Sequence, residues 1–351
     1  MNIPLAASAS ASASATRHLP PPSPPPNRPP GPPTYATLTA WLHHLLPAAP
    51  THVPLIYHAP RTRPRQRHPL PIITRIICSV TATEGIYPLL SQASGGGVAA
   101  VVLHRPWDLD RRRVLEQEPS TLVLASHERL DESLTTGHNV PLLQRLGVPG
   151  GAGVSAGGMV PIVGYKGDPD RKIGLVARLG EGADDDDDDD DDDAPHTLEE
   201  WTTKIHAEFD GMESIVPSTP AERATYPAPR YIACMNAFEP PVIDRALAAA
   251  QSLSPEPINP QEIIYLTGQP RALGTTHAAE RRIPCLFTGH RRAEVWAINY
   301  LAGLLREEFE GVEVVVVDEE KEEEEMQRRK REARRGKISR GPGTPVDLVH
   351  M

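Results

Sequence analysis

Thiols, aromatic rings and long apolar runs are all scarce in this chain, and each shortage excludes something. Its three cysteines, Cys78, Cys234 and Cys285, are odd in number and far apart. None has the C-x-x-C spacing of a zinc or redox site, which excludes a disulfide framework and a thiolate metal centre. Each lies in an apolar run and reads as a buried thiol of a reducing compartment. No apolar stretch reaches the roughly 18 residues a membrane span needs, so no membrane association is expected. The N-terminal Ala-Ser repeat lacks the apolar centre of a secretory signal. Aromatic residues make up only 5% of the 351 residues while prolines number 39, so part of the chain has no packed core. Charge of one sign is also missing as a general bias. The net charge of −10 comes from ten consecutive aspartates, residues 184–193; without them 36 acidic residues balance 36 basic ones. Neither nucleic acid nor an anionic membrane is therefore a general partner.

Five segments emerge along the chain. Residues 1–34 form an Ala/Ser/Pro-rich stretch expected to be disordered or extended. Residues 35–145 read as a first α/β lobe, and 146–229 as a linker and insertion that includes the Asp run. Residues 230–318 read as a second α/β lobe, and 319–351 as a charged tail. In the first lobe a helix is expected over Tyr35–Leu46. Strand, helix and strand then follow over Ile72–Val80, Glu84–Ala93 and Val98–Leu103, a βαβ rhythm with parallel strands. A third strand spans Thr121–Ala125. Lys172–Leu179 looks like a strand and Thr197–Phe209 like a helix. In the second lobe, strands over Tyr231–Met235, Glu262–Leu266 and Ile283–Phe287 alternate with helices over Pro241–Ala250 and Ala272–Arg281. A helix from His290 follows, and Val312–Val317 is expected to close that lobe's sheet. The Arg-rich loop Arg61–Arg67 reads as a solvated loop, and no specific nucleic-acid contact is expected. Cytoplasmic residence is the main expectation. The acid-poor N-terminus and the basic stretch Arg328–Arg335 leave mitochondrial or nuclear targeting as lesser alternatives.

The chemistry-bearing residues cluster where strands end. His104 closes the second strand, at the sheet edge where ligands bind in open α/β folds. His127 and Asp131 follow the third strand, and His290 and Glu294 follow the strand ending at Phe287. Both pairs are four residues apart, so each shares one face of a first helical turn. Either pair alone is equally well an ordinary polar helix start. Together with His104 they make a set of nitrogen and oxygen donors that suits zinc, manganese or ferrous iron. Other chemistries lack support: Gly147–Gly157 has no G-x-x-x-x-G-K-[ST] order, and no Ser or Cys sits in a G-x-S-x-G turn.

The order of these motifs carries a resemblance. His104 before Pro106, His127-x-x-x-Asp131 with Gly137-His138-Asn139, Thr267-Gly268-Gln269, and Gly289-His290-x-x-x-Glu294 together resemble the NGG-one-interacting factor three (NIF3-like) family. That family includes proteins named GTP cyclohydrolase 1 type 2. The resemblance implies two related α/β lobes, a metal site between them and a ring-like homo-oligomer, possibly a hexamer. It implies His104, Asp131, His290 and Glu294 as metal ligands, with His127 as the catalytic candidate beside them. One or two divalent ions per chain are expected. Leu103-His104 stands where the bacterial members carry two histidines, and Arg105 next to it would repel a second cation. Thr267-Gly268-Gln269 replaces T-G-E, Ala272 and Leu273 stand where histidines are expected, and the N-terminal D-N-x-G-L signature is absent. Two functions follow: a metal-dependent hydrolase of a nucleotide or small phosphorylated molecule, or a non-enzymatic scaffold that binds a protein partner.

Overall fold

The unbroken apolar run from Val98 to Leu103 needs cover on both faces, and the fold supplies it. The computed structural model describes residues 31–48, 52–60, 72–91, 96–148, 158–165, 167–179, 195–325 and 327–328. The first sheet contains β1 (Ile56–His58), β2 (Ile73–Thr81), β3 (Val98–Arg105), β4 (Leu122–Ala125) and β11 (Glu313–Val316), in the order β1-β4-β3-β2-β11. All neighbours are parallel except the edge strand β1, which runs antiparallel to β4. Side chains alternate across this sheet. Ile77, Ala99, Val101, Leu103 and Val123 pack under α2 (Ile86–Leu90) and α3 (Arg111–Gln117). Ile76, Cys78, Ala100, Val102, Leu122 and Leu124 face the other way, into a core shared with the rest of the molecule.

The second sheet has six strands in the order β5-β6-β8-β9-β10-β7. These are β5 (Met159–Tyr165), β6 (Asp168–Arg178), β7 (Ser214–Val216), β8 (Tyr231–Met235), β9 (Ile263–Thr267) and β10 (Cys285–Phe287). Its outer face, with Tyr231, Ala233, Tyr265 and Phe287, is covered by α8 (Pro240–Gln251) and α9 (Ala272–Glu280). Its inner face, with Leu175, Ile232, Cys234, Ile264, Leu266 and Leu286, joins the same shared core as the first sheet. Between the sheets lie α1 (Tyr35–Leu45), α4 (His127–Ser133), α5 (Val140–Arg145), α6 (Leu198–Glu208) and α10 (His290–Glu308). The short α7 (Pro220–Arg223) is closed by a capping box between Thr219 and Glu222.

The mixed α/β fold with two lobes is as expected, but several elements differ from the sequence reading. Val312–Val317 does not close the second sheet: β11 pairs with β2 in the first, and Arg75 and Glu313 bind across that seam at 2.5 Å. The 19-residue α10 is the cause, since about 28 Å of helix carries the chain from the end of β10 back across β2 and β11. The span read as linker and insertion contributes β5, β6 and β7 to the second sheet, and β1, α3 and α5 were not foreseen. The helix expected over Glu84–Ala93 is the single turn of α2 within the described residues. All three cysteines are free and buried. No described helix is long and apolar enough to cross a membrane. The Ala/Ser/Pro-rich segment up to residue 30, Arg61–Arg67, most of Gly147–Gly157, the Asp run and the tail beyond 328 lie outside the described residues.

Candidate metal centre

Each candidate ligand is set by a local device. Alternation along β3 turns His104 to the same side as Ala100 and Val102, into the middle of the molecule, where it is fully buried. Ser126 caps α4 by accepting the Arg129 N–H at 3.3 Å, which starts the helix at His127 and puts Asp131 one turn on. A tight loop then braces Asp131: Thr135 Oγ1 donates to the Asp131 carbonyl at 2.7 Å, and Asn139 Nδ2 donates to the Thr135 carbonyl at 2.8 Å. On the other side, Gly289 at φ 88° turns β10 directly into α10. The turn is held against β9, with Thr288 N donating to Thr267 O at 2.9 Å and Gly289 N to Gly268 O at 2.8 Å. That places His290 and Glu294 on the first turn of α10, facing back toward β3.

The two halves meet. His104 Nε2 lies 3.1 Å from Asp131 Oδ1, and His104 Nδ1 lies 3.4 Å from Glu294 Oε1. His127 Nε2 is 3.5 Å from Asp131 Oδ2, and its ring stacks on that of His104 at 4.9 Å. One donor atom each from His104, His127, Asp131 and Glu294 all lie within 4.8 Å of one another. His290 lies outside that group of four, although its Nε2 is 3.4 Å from Glu294 Oε1. Arg105 Nη2 approaches the same carboxylate oxygen to 2.5 Å. Trp107, 63% exposed, stands at the entrance with its ring 5.1 Å from that of His127.

The group has charge partners but is short of aligned hydrogen bonds. His104 and Glu294 have no exposed surface, yet both ring nitrogens, both Glu294 oxygens and Asp131 Oδ1 lack an aligned hydrogen bond. Burying such groups without aligned hydrogen bonds is costly; Arg105 offsets part of that cost at Glu294, and a divalent ion among the donors would offset more. Burial holds His127 below its usual pKa, which favours the neutral, ligating imidazole. Burial alone would raise Asp131, but the imidazoles of His104, His127 and His290 outweigh it and keep it ionised. Ligand atoms about 2.0–2.2 Å from one ion stand about 3.0–3.5 Å apart; the four donors, one atom each, lie within 4.8 Å of one another and would draw closer around a bound ion. With imidazole and carboxylate donors, the four residues could hold a metal ion.

A groove of about 960 Å³ runs along the far side of α10, lined by Trp296, Tyr300, Arg292 and Glu319 among others, but it includes none of the four grouped residues. Chemistry is better placed where the donors converge. The sequence reading names His104, Asp131, His290 and Glu294 as ligands and His127 as the catalytic candidate; in the structure His127 joins the donor group and His290 lies outside it. The sequence reading missed that Arg105 folds back onto Glu294, and it missed Trp107, whose only signal was a large apolar residue just after a strand end.

No protein-family profile matches the sequence, and no curated protein matches it by sequence. Solved structures do share the fold. Protein ybgI, of unknown function, is 15% identical and superposes with a TM-score of 0.50 over 81% of this chain and 97% of its own. Reduced HcgD from Methanocaldococcus jannaschii is 12% identical, with a TM-score of 0.50 over 81% and 98% of the two chains. A Bacillus cereus protein related to NIF3 is 11% identical, with a TM-score of 0.49 over 82% and 97%. At these identities the likeness to ybgI and HcgD is one of fold.

Proposed function

We propose that this chain is a divalent-metal-dependent hydrolase acting on a nucleotide or another small phosphorylated molecule. The observation that carries it is the convergence of His104 and Asp131 from the first lobe with Glu294 from the second, buried and short of hydrogen bonds. His127 completes the set on the open side, in the position the sequence reading gave to His290. A divalent ion held there supplies Lewis acidity, lowering the pKa of water and offsetting charge on a phosphoryl oxygen. The chain's own residues supply the rest. Asp131 stays ionised as an anionic donor, and His104 is locked by its strand. His127 and Trp107 border the solvent side, where substrate would enter. The shared interior excludes water from behind. A ring-like homo-oligomer, possibly a hexamer, is part of the same proposal, and light scattering on the purified chain tests it.

Elemental analysis of protein purified without chelator tests the metal. At least one transition ion per chain, lost in His104→Ala and Asp131→Ala, supports the reading; folded, metal-free wild type contradicts it. A screen of nucleotides and phosphate esters for released product then tests hydrolysis. One observation favours the scaffold reading: Arg105 already supplies Glu294 with a positive charge. Metal-free protein that still oligomerises and captures a protein partner would support that alternative.

A further inference from the structure

Arg105 leaves β3 directly after His104 and turns back into the site rather than out to solvent. Its Nη2 lies 2.5 Å from Glu294 Oε1, and its side chain is only 27% exposed. The same oxygen has His290 Nε2 at 3.4 Å and His104 Nδ1 at 3.4 Å. Three nitrogens therefore crowd one carboxylate oxygen, and one of them carries a charge it cannot lose. The Arg105 Nε is buried with no acceptor, and Glu294 is the acid with which its guanidinium forms an ion pair.

We infer that Arg105 is a built-in cation filling the corner between Glu294 and His290, so that the centre holds one divalent ion and not two. This rests on the metal reading above. The guanidinium occupies Glu294 Oε1, the oxygen that His290 also approaches, while the mutually close donors are those of His104, His127, Asp131 and Glu294. Charge points the same way. The group holds two carboxylates, Asp131 and Glu294, and the Arg105 guanidinium already offsets one of their charges. One divalent ion then leaves the cluster at a net charge of about +1, whereas two would leave about +3 in a largely desolvated pocket. His290 is in this view a ligand-type residue whose position the arginine has taken.

The untagged full-length chain, stripped with chelator and dialysed, is titrated with cobalt(II), and bound ion is counted by elemental analysis after dialysis. Wild type is expected to retain one equivalent. Arg105→Gln, which removes the charge, is expected to retain two, and adding His290→Ala is expected to return it to one. Arg105→Lys keeps the charge and is expected to stay at one. Two equivalents in wild type, or one in a folded Arg105→Gln, overturns the inference and leaves the metal reading standing. No binding by wild type overturns the metal reading itself. If Arg105→Gln does not fold, the wild-type and Arg105→Lys counts decide: two equivalents in either overturns the inference.

Discussion

Gly137 sits directly against the backbone of Asp131. A Cβ at that position would come 2.4 Å from the Asp131 carbonyl oxygen and 2.6 Å from that of Glu132. Main-chain atoms cannot yield as a flexible side chain can, so Gly137→Ala has to push the end of α4 away. Since α4 carries Asp131, metal affinity is expected to fall by about tenfold or more, as when a ligand's supporting contacts are lost. Metal titration of the folded variant checks it, and unchanged affinity would mean the loop does not position Asp131.

Glu294 and Arg105 are a partly buried pair, and removing one partner strands the other. Glu294→Ala is expected to destabilise the chain by about 3 kcal/mol, at the low end for a broken buried pair because Arg105 retains some solvent contact. Arg105→Gln combined with Glu294→Gln is expected to lose less than the two single changes summed. Urea denaturation of the four proteins measures this, and strict additivity would show the pair to be uncoupled.

Glu319 clamps the chain after β11 onto the end of β2. Its carboxylate accepts from Ser79 Oγ at 2.7 Å, Thr81 N at 2.7 Å and Thr81 Oγ1 at 2.6 Å, and pairs with Arg291. Burial alone would raise its pKa, but these donors outweigh it and hold it below its ordinary 4.5. A depressed carboxylate stabilises the fold above its unfolded pKa, and that contribution is lost as pH falls through the lower folded value. Glu319→Ala is expected to cost about 2–3 kcal/mol at neutral pH, from lost bonds to a charged acceptor. The gap from wild type is expected to narrow progressively below pH 4.5. A gap that stays constant on acidification would contradict the clamp.

The thiols offer a test of the shared core. Cys78 and Cys234 are completely enclosed, and burial pushes Cys78 up to about 12 and raises Cys234 and Cys285 as well. Native protein is expected to be inert to a thiol reagent at mildly alkaline pH and to react at all three sites after denaturation. Fast reaction of the native chain would show that the core opens.

Trp107 should report the site optically. It is the one exposed indole among the described residues; Trp41, Trp201 and Trp296 are all buried. Its ring lies 5.1 Å from His127, so binding of a paramagnetic ion such as cobalt(II) is expected to quench the solvent-exposed part of the emission. Trp107→Phe is expected to abolish the change without abolishing binding. Quenching that survives in Trp107→Phe would place the ion elsewhere.

Much of this was legible because the informative features are local. The apolar runs at Ile73–Val80, Val98–Leu103, Tyr231–Met235 and Ile263–Leu266 appear as strands buried on both faces, and both four-residue His–acid spacings fall on first helical turns. What stayed hidden depends on distance along the chain. Nothing near Val314 reveals that its partner is Ile76 rather than a strand of its own lobe. The strand β5 is half exposed and carries Pro161 and Gly164, so it does not read as a strand, whereas the buried end of β6 does. The return of Arg105 onto Glu294 joins residues 189 positions apart, which no spacing rule could disclose.

The central claim is that His104 and Asp131 share one ion with Glu294, and anomalous diffraction at a metal edge tests it most directly. Crystals of chain grown with zinc or manganese are expected to give one peak within coordination distance of all three side chains, between β3, α4 and the start of α10. A map with no peak there, in crystals whose soaking solution holds the ion in excess, would contradict it.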